Sequence, residues 1–383
     1  MRIAHVTQWF IPGMSYQENF LPQEQARLGH DVWMLTSDCL PPPLRPILKH
    51  RFCPGDIETD SVKICRLTSK AIGNRAQVYL HQLMRKLGKI EPDCVHLHGL
   101  WMLPTLQMAA QNPGYHTVAD DHADNGNLPT GIGADVRFTI ARGVCRGVVR
   151  NGGKILASNP YSMWFVTKVL RIPLEKVFLL PLGINSRSFY PDFRLRNEGR
   201  KKLGLERNEM VFVTSGRLTA GKGFELLLRA FAEVFRSFRS VRLIFVGSGS
   251  QEYETHLRRL GTDLSIETAL IFLKWMSEDE LCTYYNAADV GVMPGKIGGI
   301  KEILGVGRPL IVPDHLATNY FVENGNGERF RQDDQGSLAE AMRHYVENQE
   351  LLRKHGERSL EIARNDLSWK RIAEMSLKFY SSS

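Results

Sequence analysis

Short apolar runs alternate with amphipathic segments along the whole chain. In the first half, RIAHVTQWF, HDVWMLTS, VKICRL and CVHLHG predict strands, and ENFLPQEQARLG predicts a helix that ends at Gly29. We also expect a helix around RAQVYLHQLMRKLG. The predicted helices end near glycines, and strands follow within a few residues. This α/β alternation is typical of a doubly wound, mostly parallel sheet covered by helices on both faces.

The second half restarts the same pattern. MVFVTSGRL and VRLIFVGSG predict strands, and GFELLLRAFAEVFRSF predicts an amphipathic helix. We therefore expect two Rossmann-like domains, since 383 residues exceed one ordinary core. The predicted boundaries are 1–183 for the first domain, 184–204 for a polar linker, 205–365 for the second domain and 366–383 for a closing helix. Two such domains would face each other across a cleft at the carboxyl ends of their strands.

Composition narrows the class of protein. Hydrophobic residues make up 43% of the chain, but no run approaches the ~18–20 apolar residues of a membrane span. The first residues, MRIAHVTQWF, lack the order of a secretion signal, so we expect a cytoplasmic protein. The six cysteines are scattered without CxxC spacing, which indicates reduced thiols that lie mostly in the core.

The net charge of +8 includes one patterned group of basic residues. Arg142, Arg146, Arg150 and Lys154 recur every fourth residue and would form one stripe on a helix. The stripe is either a solvated helix face or a surface that attracts an anionic membrane or a phospholipid-linked acceptor. Nucleic acid is not an expected partner, because the basic and aromatic residues are not interleaved.

Two nucleotide chemistries are disfavoured by missing motifs. A dehydrogenase would show GxGxxG after its first strand, yet VTQWFIPGMSYQEN contains only Gly13. The P-loop pattern GxxxxGK[ST] is also absent, which disfavours ATP hydrolysis. The stretch GRLTAGKGFELLLRAF is more informative, because it places Arg217 and Lys222 among glycines, Gly216 included, in a loop that opens a helix. Such a loop is either an anion site or a surface loop with two solvated cations.

The same stretch resembles the GRL…KG…LL.AF signature of retaining glycosyltransferases of family four, which have the GT-B fold. Further similarities follow in the family's order: HVTQWFIPG, DCVHLHG, ADDH, ILASNPYS, LIFVGSGSQEYETHLRRL, EILGVGRPLIV and the closing LSWKRIAEMSLKFY. The resemblance covers essentially the whole chain. It implies that the first domain binds the acceptor, that the second binds a sugar nucleotide, and that the last helix returns to the first domain.

The resemblance also assigns roles to residues. Arg217 and Lys222 match the pair that binds the donor diphosphate, and Glu302 matches the acid that holds the ribose hydroxyls. His122, in ADDH, matches a histidine that faces the donor sugar, and a neutral imidazole could bond a sugar hydroxyl. We therefore expect His122, Arg217 and Lys222 to act in catalysis. The other expected donor-binding residues are Gly13, Gly216, Trp275, Gly295, Lys296, Gly298, Gly299 and Glu302.

The metal, the cofactor and the acceptor contacts follow from the same resemblance. Asp120 and Asp121 are candidates for contact with acceptor hydroxyls, but they do not form a DxD triad. No metal and no cofactor are expected, because the protein cations would neutralise the diphosphate. Retention of the anomeric configuration is implied by the family and by no spacing in this chain.

One loop departs from the family's pattern. In its E-x7-E segment the first acid stands eight residues before the second, and Pro294 occupies that position before Glu302. Gly295, Gly298 and Gly299 could instead bring backbone amides to the donor, and Lys296 would add a cation.

We expect transfer of a hexose from a UDP- or GDP-sugar to a glycan or lipid-linked glycan in cell-surface polysaccharide or lipopolysaccharide synthesis, with peripheral contact at the inner face of the membrane. The alternatives are a non-catalytic GT-B subunit that binds glycan or a partner transferase, and a GT-B sugar-nucleotide epimerase.

Overall fold

The computed structural model describes residues 1–13, 16–41, 52–59, 61–72, 77–111, 114–123, 134–150, 152–295 and 301–381. The chain divides into two compact units. The first unit comprises Met1–Gly183 and Trp369–Ser383, and the second comprises Ile184–Ser368. The closing segment is therefore counted with the first unit.

The first unit is built on a sheet whose central strands are buried along most of their length. The burial of β1, for example, runs unbroken after its first residue, as expected for a strand covered on both faces. In chain order its elements are β1 (Arg2–Val6), α1 (Gln17–Arg27), β2 (Asp31–Ser37), β3 (Gly55–Thr59), β4 (Val62–Leu67), β5 (Ser69–Ile72), β6 (Gln77–Leu80), α2 (Leu83–Ile90), β7 (Cys94–Leu97), α3 (Leu103–Gln111), β8 (His116–Asp121), α4 (Ala134–Arg150), β9 (Lys154–Ala157), α5 (Pro160–Trp164) and β10 (Val177–Leu179).

The strand order of this sheet is β10-β9-β8-β7-β1-β2-β4-β3, and its pairs are parallel except for β3 with β4. The chain leaves β1 for β2 on one side and later returns to β7 on the other. The loops after β1 and β7 therefore flank the point where the winding reverses, which is where open α/β sheets bind ligands. A separate antiparallel hairpin joins β5 to β6.

The hairpin corrects one expectation. The segment RAQVYLHQLMRKLG was expected to be a single helix, but Gln77–Leu80 form β6 and the helix begins only at Leu83. Burial alternates along Gln-Val-Tyr-Leu, with Val78 and Leu80 inside, which is the period of a strand. The β-branched and aromatic side chains of this tetrapeptide favour the same conformation.

The second unit has a wholly parallel sheet with the order β13-β12-β11-β14-β15-β16. Its winding reverses between β11 and β14. The elements are α6 (Phe193–Lys202), β11 (Met210–Ser215), α7 (Phe224–Ser237), β12 (Val241–Val246), α8 (Gln251–Asp263), β13 (Leu270–Leu273), α9 (Glu278–Ala287), β14 (Val290–Val292), α10 (Glu302–Gly305), β15 (Leu310–Pro313), β16 (Gly327–Phe330), α11 (Gln335–Glu347) and α12 (Gln349–Asn365). One continuous apolar core joins both faces of the sheet to these helices.

The segment 184–204, expected to be a linker, is counted in the second unit. Its helix α6 packs closely on α9, and a side chain at Gly199 would approach the Thr283 carbonyl to 2.9 Å. Asp192 caps the helix by accepting from the amides of Arg194 and Leu195, and Arg196 donates to Asp289 at 2.6 Å. Polar composition indicated a linker, but these polar side chains dock the helix instead.

The last helix, α13 (Trp369–Leu377), completes the core of the first unit. Trp369 stacks on Phe20 of α1 with 5.4 Å between ring centroids. A side chain at Gly183 would approach the Trp369 ring to 2.4 Å, so only glycine leaves room for the indole. Beyond the helix, Tyr380 is buried at 1% exposure. The tail is thus a part of this core.

The predicted basic stripe is only partly formed. Arg142, Arg146 and Arg150 lie on α4, but Lys154 is the first residue of β9. Lys154 donates to the carbonyl oxygens of Phe379 and Ser381, and Arg142 donates to that of Val169. Arg146 and Arg150 alone of the four are exposed. The helix ends before Lys154 because the chain there pairs into the sheet as β9, so the four-residue period is interrupted.

The cysteines are free, and five of the six are buried, as expected. Within the described residues, none of the helices combines the length and the apolar character that crossing a membrane requires.

Candidate active site

The loop between β11 and α7 has the geometry of an anion site. Gly216, Gly221 and Gly223 all have positive φ angles, of 139°, 79° and 83°, so the loop follows a path that glycine adopts at little cost. Gly223 is the residue immediately before the first turn of α7. In the same loop, Arg217 is exposed and Lys222 is half-buried. The amides at the start of this helix and the two cations together favour a negatively charged ligand.

Close backbone contacts hold this loop against its neighbours. A side chain at Gly247 would approach the Gly216 carbonyl oxygen to 1.9 Å, and one at Gly249 would approach that of Leu218 to 2.0 Å. On the other side, a side chain at Gly223 would lie 2.5 Å from the Pro294 carbonyl oxygen. The loops after β11, β12 and β14 therefore pack backbone to backbone at the carboxyl edge of the sheet, where the winding reverses.

Gly295 belongs to the same contact. A side chain there would approach the Lys222 carbonyl oxygen to 2.8 Å, so the start of the unusual PG loop packs against the predicted diphosphate loop. The predicted donor residues Lys296, Gly298 and Gly299 lie outside the described residues.

Glu302 is the first residue of α10 and carries an unsatisfied oxygen. Its Oε1 accepts from Lys301 Nζ at 2.5 Å, whereas its buried Oε2 finds no hydrogen-bond donor within the described part of the chain. The carboxylate lies near the buried Tyr285 and the half-buried Tyr320. Burial and then the Glu302 charge raise the pKa of both tyrosines. Such an oxygen is suited to accept from a ligand hydroxyl.

Trp275 is 80% exposed, and its backbone amide donates to Ser248 Oγ at 3.2 Å. Its predicted contact with the base is compatible with this position at the sheet edge. Tyr285, whose pKa responds to the Glu302 charge, bonds through its hydroxyl to Ser215 Oγ at the end of β11, at 2.6 Å. Tyr285 and Tyr320 were not singled out from the sequence, because only the tertiary packing brings them to the glutamate. Lys301 is its neighbour in the chain and was also not singled out.

The first unit contributes a second group of predicted residues. Gly13 follows β1 with a φ of 80°, and it lines one pocket together with Glu18 of α1. Glu18 also acts on His122 electrostatically, so these three residues belong to one region. Glu18 was not predicted as a site residue.

His122 follows β8 and pairs with the carboxylate of Asp120. Its Nε2 lies 3.2 Å from Asp120 Oδ1, and its side chain is 38% exposed. Burial alone would lower the pKa of His122, but Asp120, with smaller contributions from Glu18 and Asp121, raises it to about 9. The expectation of a neutral imidazole is therefore corrected. At neutral pH His122 is an imidazolium, which offers N–H donors to a ligand oxygen.

Asp120 and Asp121 are 2% and 0% exposed, so the structure gives them internal partners in place of the expected acceptor contacts. Asp120 accepts from the Gly99 amide at 2.6 Å and from His98 Nδ1 at 2.8 Å. Asp121 accepts from Ser162 Oγ at 2.6 Å and from the Ala123 amide. Burial raises the pKa of Asp121, whereas the histidines beside Asp120 hold the pKa of that carboxyl well below its ordinary value against the effect of burial.

Three buried histidines, His5, His96 and His98, bring ligand-type nitrogens within 4.8 Å of one another. Metal-binding imidazoles point their nitrogens at a common centre. Here His96 and His98 are stacked at 12°, and every ring nitrogen of the three already has a hydrogen-bond partner. The geometry is that of a hydrogen-bond network. HLHG belongs to a stretch that carried the family resemblance, but the sequence did not reveal this cluster.

A mostly parallel sheet and a wholly parallel sheet, each with candidate site residues in loops at its carboxyl edge, define a doubly wound nucleotide-binding class. Comparison with known proteins specifies the class further. Residues 196–361 match the family model described as "Glycosyl transferases group 1". Alr3699/HepE of Anabaena in complex with UDP aligns over 100% of both chains with a TM-score of 0.77 and 17% identity.

Two relatives of known name are similar to this chain in sequence. An alpha-monoglucosyldiacylglycerol synthase from Acholeplasma laidlawii is 25% identical over 92% of this chain and 90% of its own. A GDP-mannose-dependent monoacylated alpha-(1-6)-phosphatidylinositol monomannoside mannosyltransferase from Corynebacterium glutamicum is 33% identical over 33% of each chain. Residues 196–361 carry the match to group 1 glycosyltransferases, and the predicted resemblance, the GT-B fold class and the hexosyltransferase activity are confirmed.

Proposed function

We propose that this enzyme transfers a hexose, with retention of configuration, from a UDP- or GDP-sugar to a glycan or lipid-linked glycan in cell-surface polysaccharide or lipopolysaccharide assembly. The observation that carries the proposal is the loop 216–223, where Arg217 and Lys222 flank the start of α7. Cations and helix amides at one place stabilise the charge that develops on a departing nucleoside diphosphate.

Glu302 supports a sugar nucleotide as the donor. Its unsatisfied Oε2 is buried near Tyr285, which itself bonds the last residue of β11. A ribose has vicinal hydroxyls that could donate to this oxygen while the diphosphate binds the adjacent loop. The names of two relatives, which refer to diacylglycerol and phosphatidylinositol products or substrates, favour a lipid-linked acceptor.

We infer that no metal ion is needed, because Arg217 and Lys222 would balance the diphosphate charge. For retention, the acceptor would attack from the face that the nucleoside diphosphate leaves, and the diphosphate oxygen would take the acceptor proton. The protonated His122 would donate to an oxygen of the bound sugar. These steps assign binding and electrostatic roles to the protein and leave the bond-making to donor and acceptor.

The decisive test is a panel of UDP- and GDP-sugars assayed for slow hydrolysis without acceptor, together with thermal shifts by UDP and GDP. We expect one nucleotide to raise Tm and its sugar to be hydrolysed, with both effects lost in Lys222→Ala. Arg229→Ala, at an exposed position on the same helix, is the matched control and should behave as wild type. Activity should persist in EDTA.

The outcomes separate the alternatives. No shift with any nucleoside diphosphate would contradict the proposed donor. Conversion of a sugar nucleotide to its epimer without hydrolysis would identify an epimerase. Inverted product stereochemistry would overturn retention alone.

A further inference from the structure

Six buried side chains in the first unit form a closed ring of hydrogen bonds. They come from β1, α1, β7, the residue after β7, β8 and the segment after α13, and none is more than 4% exposed. In ring order they are Asp120, His98, His5, Gln25, Tyr380 and His96. His122 is attached to this ring through the second oxygen of Asp120.

One side of the ring is a chain of three bonds. Asp120 Oδ2 lies 2.8 Å from His98 Nδ1, His98 Nε2 lies 2.9 Å from His5 Nδ1, and His5 Nε2 lies 2.7 Å from Gln25 Oε1. Each bond needs one hydrogen. The atoms at its two ends are a carboxylate oxygen and an amide oxygen, and both only accept.

The other side of the ring fixes the orientation of the Gln25 amide. Burial lowers the pKa of His96 to about 4, so this ring is neutral and carries one hydrogen. Its Nε2, 3.2 Å from Asp120, donates to the carboxylate, and its Nδ1 therefore accepts the hydrogen of the Tyr380 hydroxyl. The Tyr380 oxygen therefore accepts from Gln25 Nε2 at 3.0 Å. Gln25 Nε2 also donates to Ser376 Oγ, whose own hydrogen goes to the Ala373 carbonyl. The amide oxygen of Gln25 consequently faces His5.

The hydrogens can now be counted. Two neutral imidazoles supply one hydrogen each, but the three bonds from Asp120 to Gln25 need three. One of the two rings must carry an additional proton. Burial and the neighbouring His96 and His98 hold the pKa of His5 well below its ordinary value, so the proton belongs to His98, which touches the carboxylate directly.

We propose that His98 is a buried imidazolium at neutral pH and a positioning residue that orients Asp120 toward His122. Its charge is balanced by Asp120, and the Gly99 amide fixes the second carboxylate oxygen. The charged or titratable groups around it are His5 on β1, His96 on β7, Asp120 on β8, the Tyr380 hydroxyl and His122. The catalytic part of this inference rests on the proposed role of His122.

The arrangement has a consequence for His122. Two cations, His98 and His122, share one carboxylate, and each opposes the other's protonation. Removing the charge of His98 while keeping its donor to Asp120 should therefore raise the pKa of His122. A purely structural role for His98 would lower stability or kcat without moving that pKa.

The proton itself is measured by NMR of the full-length protein with ¹⁵N-labelled histidine. At pH 8 we expect both ring nitrogens of His98 to be protonated, and His5 and His96 each to carry one hydrogen. In Gln25→Met, which lacks the amide oxygen, His98 should lose its second proton, whereas Gln25→Glu should retain it. A neutral His98 at pH 8 in the wild type, or a stoichiometric metal ion found by elemental analysis, would overturn the proposal.

The positioning role is measured by the pH dependence of donor hydrolysis. In His98→Asn the alkaline limb of kcat should move to higher pH, by on the order of one unit for the loss of a nearby like charge. Tyr345→Phe is the matched control, because it removes another buried tyrosine–histidine bond, at 2.8 Å to His355 in the second unit. It should leave the limb unmoved.

The two arms distinguish the sources of failure. A limb that stays in place in His98→Asn would overturn the positioning role. A wild type without any alkaline limb, but with a doubly protonated His98, would overturn the role of His122 and leave the protonation assignment standing.

Discussion

At the scale of residues, the Asp120 carboxylate is the best-connected group of the candidate site. It accepts from His96, His98, the Gly99 amide and Gln17, and it pairs with His122. So many donors stabilise a buried negative charge. Asp120, which was expected to contact the acceptor, thus holds His122, which was expected to face the donor sugar.

Replacing Asp120 by Asn should move the alkaline limb of kcat/KM to lower pH. The carboxylate raises the pKa of His122 to about 9, and the neutral amide would remove that effect. The contribution of the His122–Asp120 pair to the stability of the fold is fully present below the ordinary histidine pKa of about 6.5. It is lost as pH rises through about 9. A pH–rate profile checks this. Asp263→Asn, at an exposed position of α8, is the control, and an unmoved limb in Asp120→Asn would contradict the pairing.

Alanine substitutions at two glycines distinguish the cost of a left-handed backbone from the cost of disturbing the contact between the site loops. Gly223 has a φ of 83°, and a Cβ there would lie 2.5 Å from the Pro294 carbonyl oxygen. Gly204 has a φ of 65°, and a Cβ there would meet no atom within 4 Å. Gly204→Ala should cost about 1–2 kcal/mol from the left-handed conformation alone. Gly223→Ala should cost more and should also weaken nucleotide binding, because the loops after β11 and β14 must separate. Urea unfolding and UDP or GDP titration test this, and equal effects in both variants would refute it.

At the scale of elements, the local pattern was sufficient where an element buries one continuous face. The helix GFELLLRAFAEVFRSF was predicted, and α7 spans Phe224–Ser237 with its apolar residues inside. The pattern failed where tertiary partners decide. β6 exists because β5 pairs with it, and Lys154 leaves the helix to enter the sheet. Likewise, Glu302 was predicted from its motif, but the ring around Asp120 depends on long-range contacts that spacing cannot reveal.

Substitutions at two tryptophans compare a buried packing role in the closing helix with an exposed position at the edge of the second sheet. Trp369 on α13 is 8% exposed and Trp275 is 80% exposed. Trp369→Ala should destabilise the first unit by about 3–5 kcal/mol, as for other buried aromatic truncations. Trp275→Ala should change stability by less than about 0.5 kcal/mol and instead weaken nucleotide binding if the indole contacts the base. Denaturant unfolding and nucleotide titration measure both. A stable Trp369→Ala protein would contradict the packing role of α13.

At the scale of the whole molecule, the positive charge and an exposed apolar strip coincide on α4. Arg146 and Arg150 are exposed, and so are Val136 and Ile140, at 64% and 55%. Basic residues attract anionic headgroups, and each contributes about 1 kcal/mol near such a surface. Apolar side chains on the same helix add burial at the interface. This helix is therefore the surface that we expect to meet an anionic membrane, where the proposed lipid-linked acceptor would reside.

Flotation with vesicles that contain an anionic phospholipid tests this expectation on the full-length protein. Wild type should float with anionic vesicles and less with neutral ones, and salt should weaken binding, since screening acts on exposed charges. Arg146→Gln with Arg150→Gln should reduce binding by roughly tenfold or more if each charge contributes about 1 kcal/mol. Lys201→Gln with Lys202→Gln removes the same charge from exposed positions on α6 and should bind as wild type. Equal losses in the two double variants would show that net charge, and not α4, determines the association.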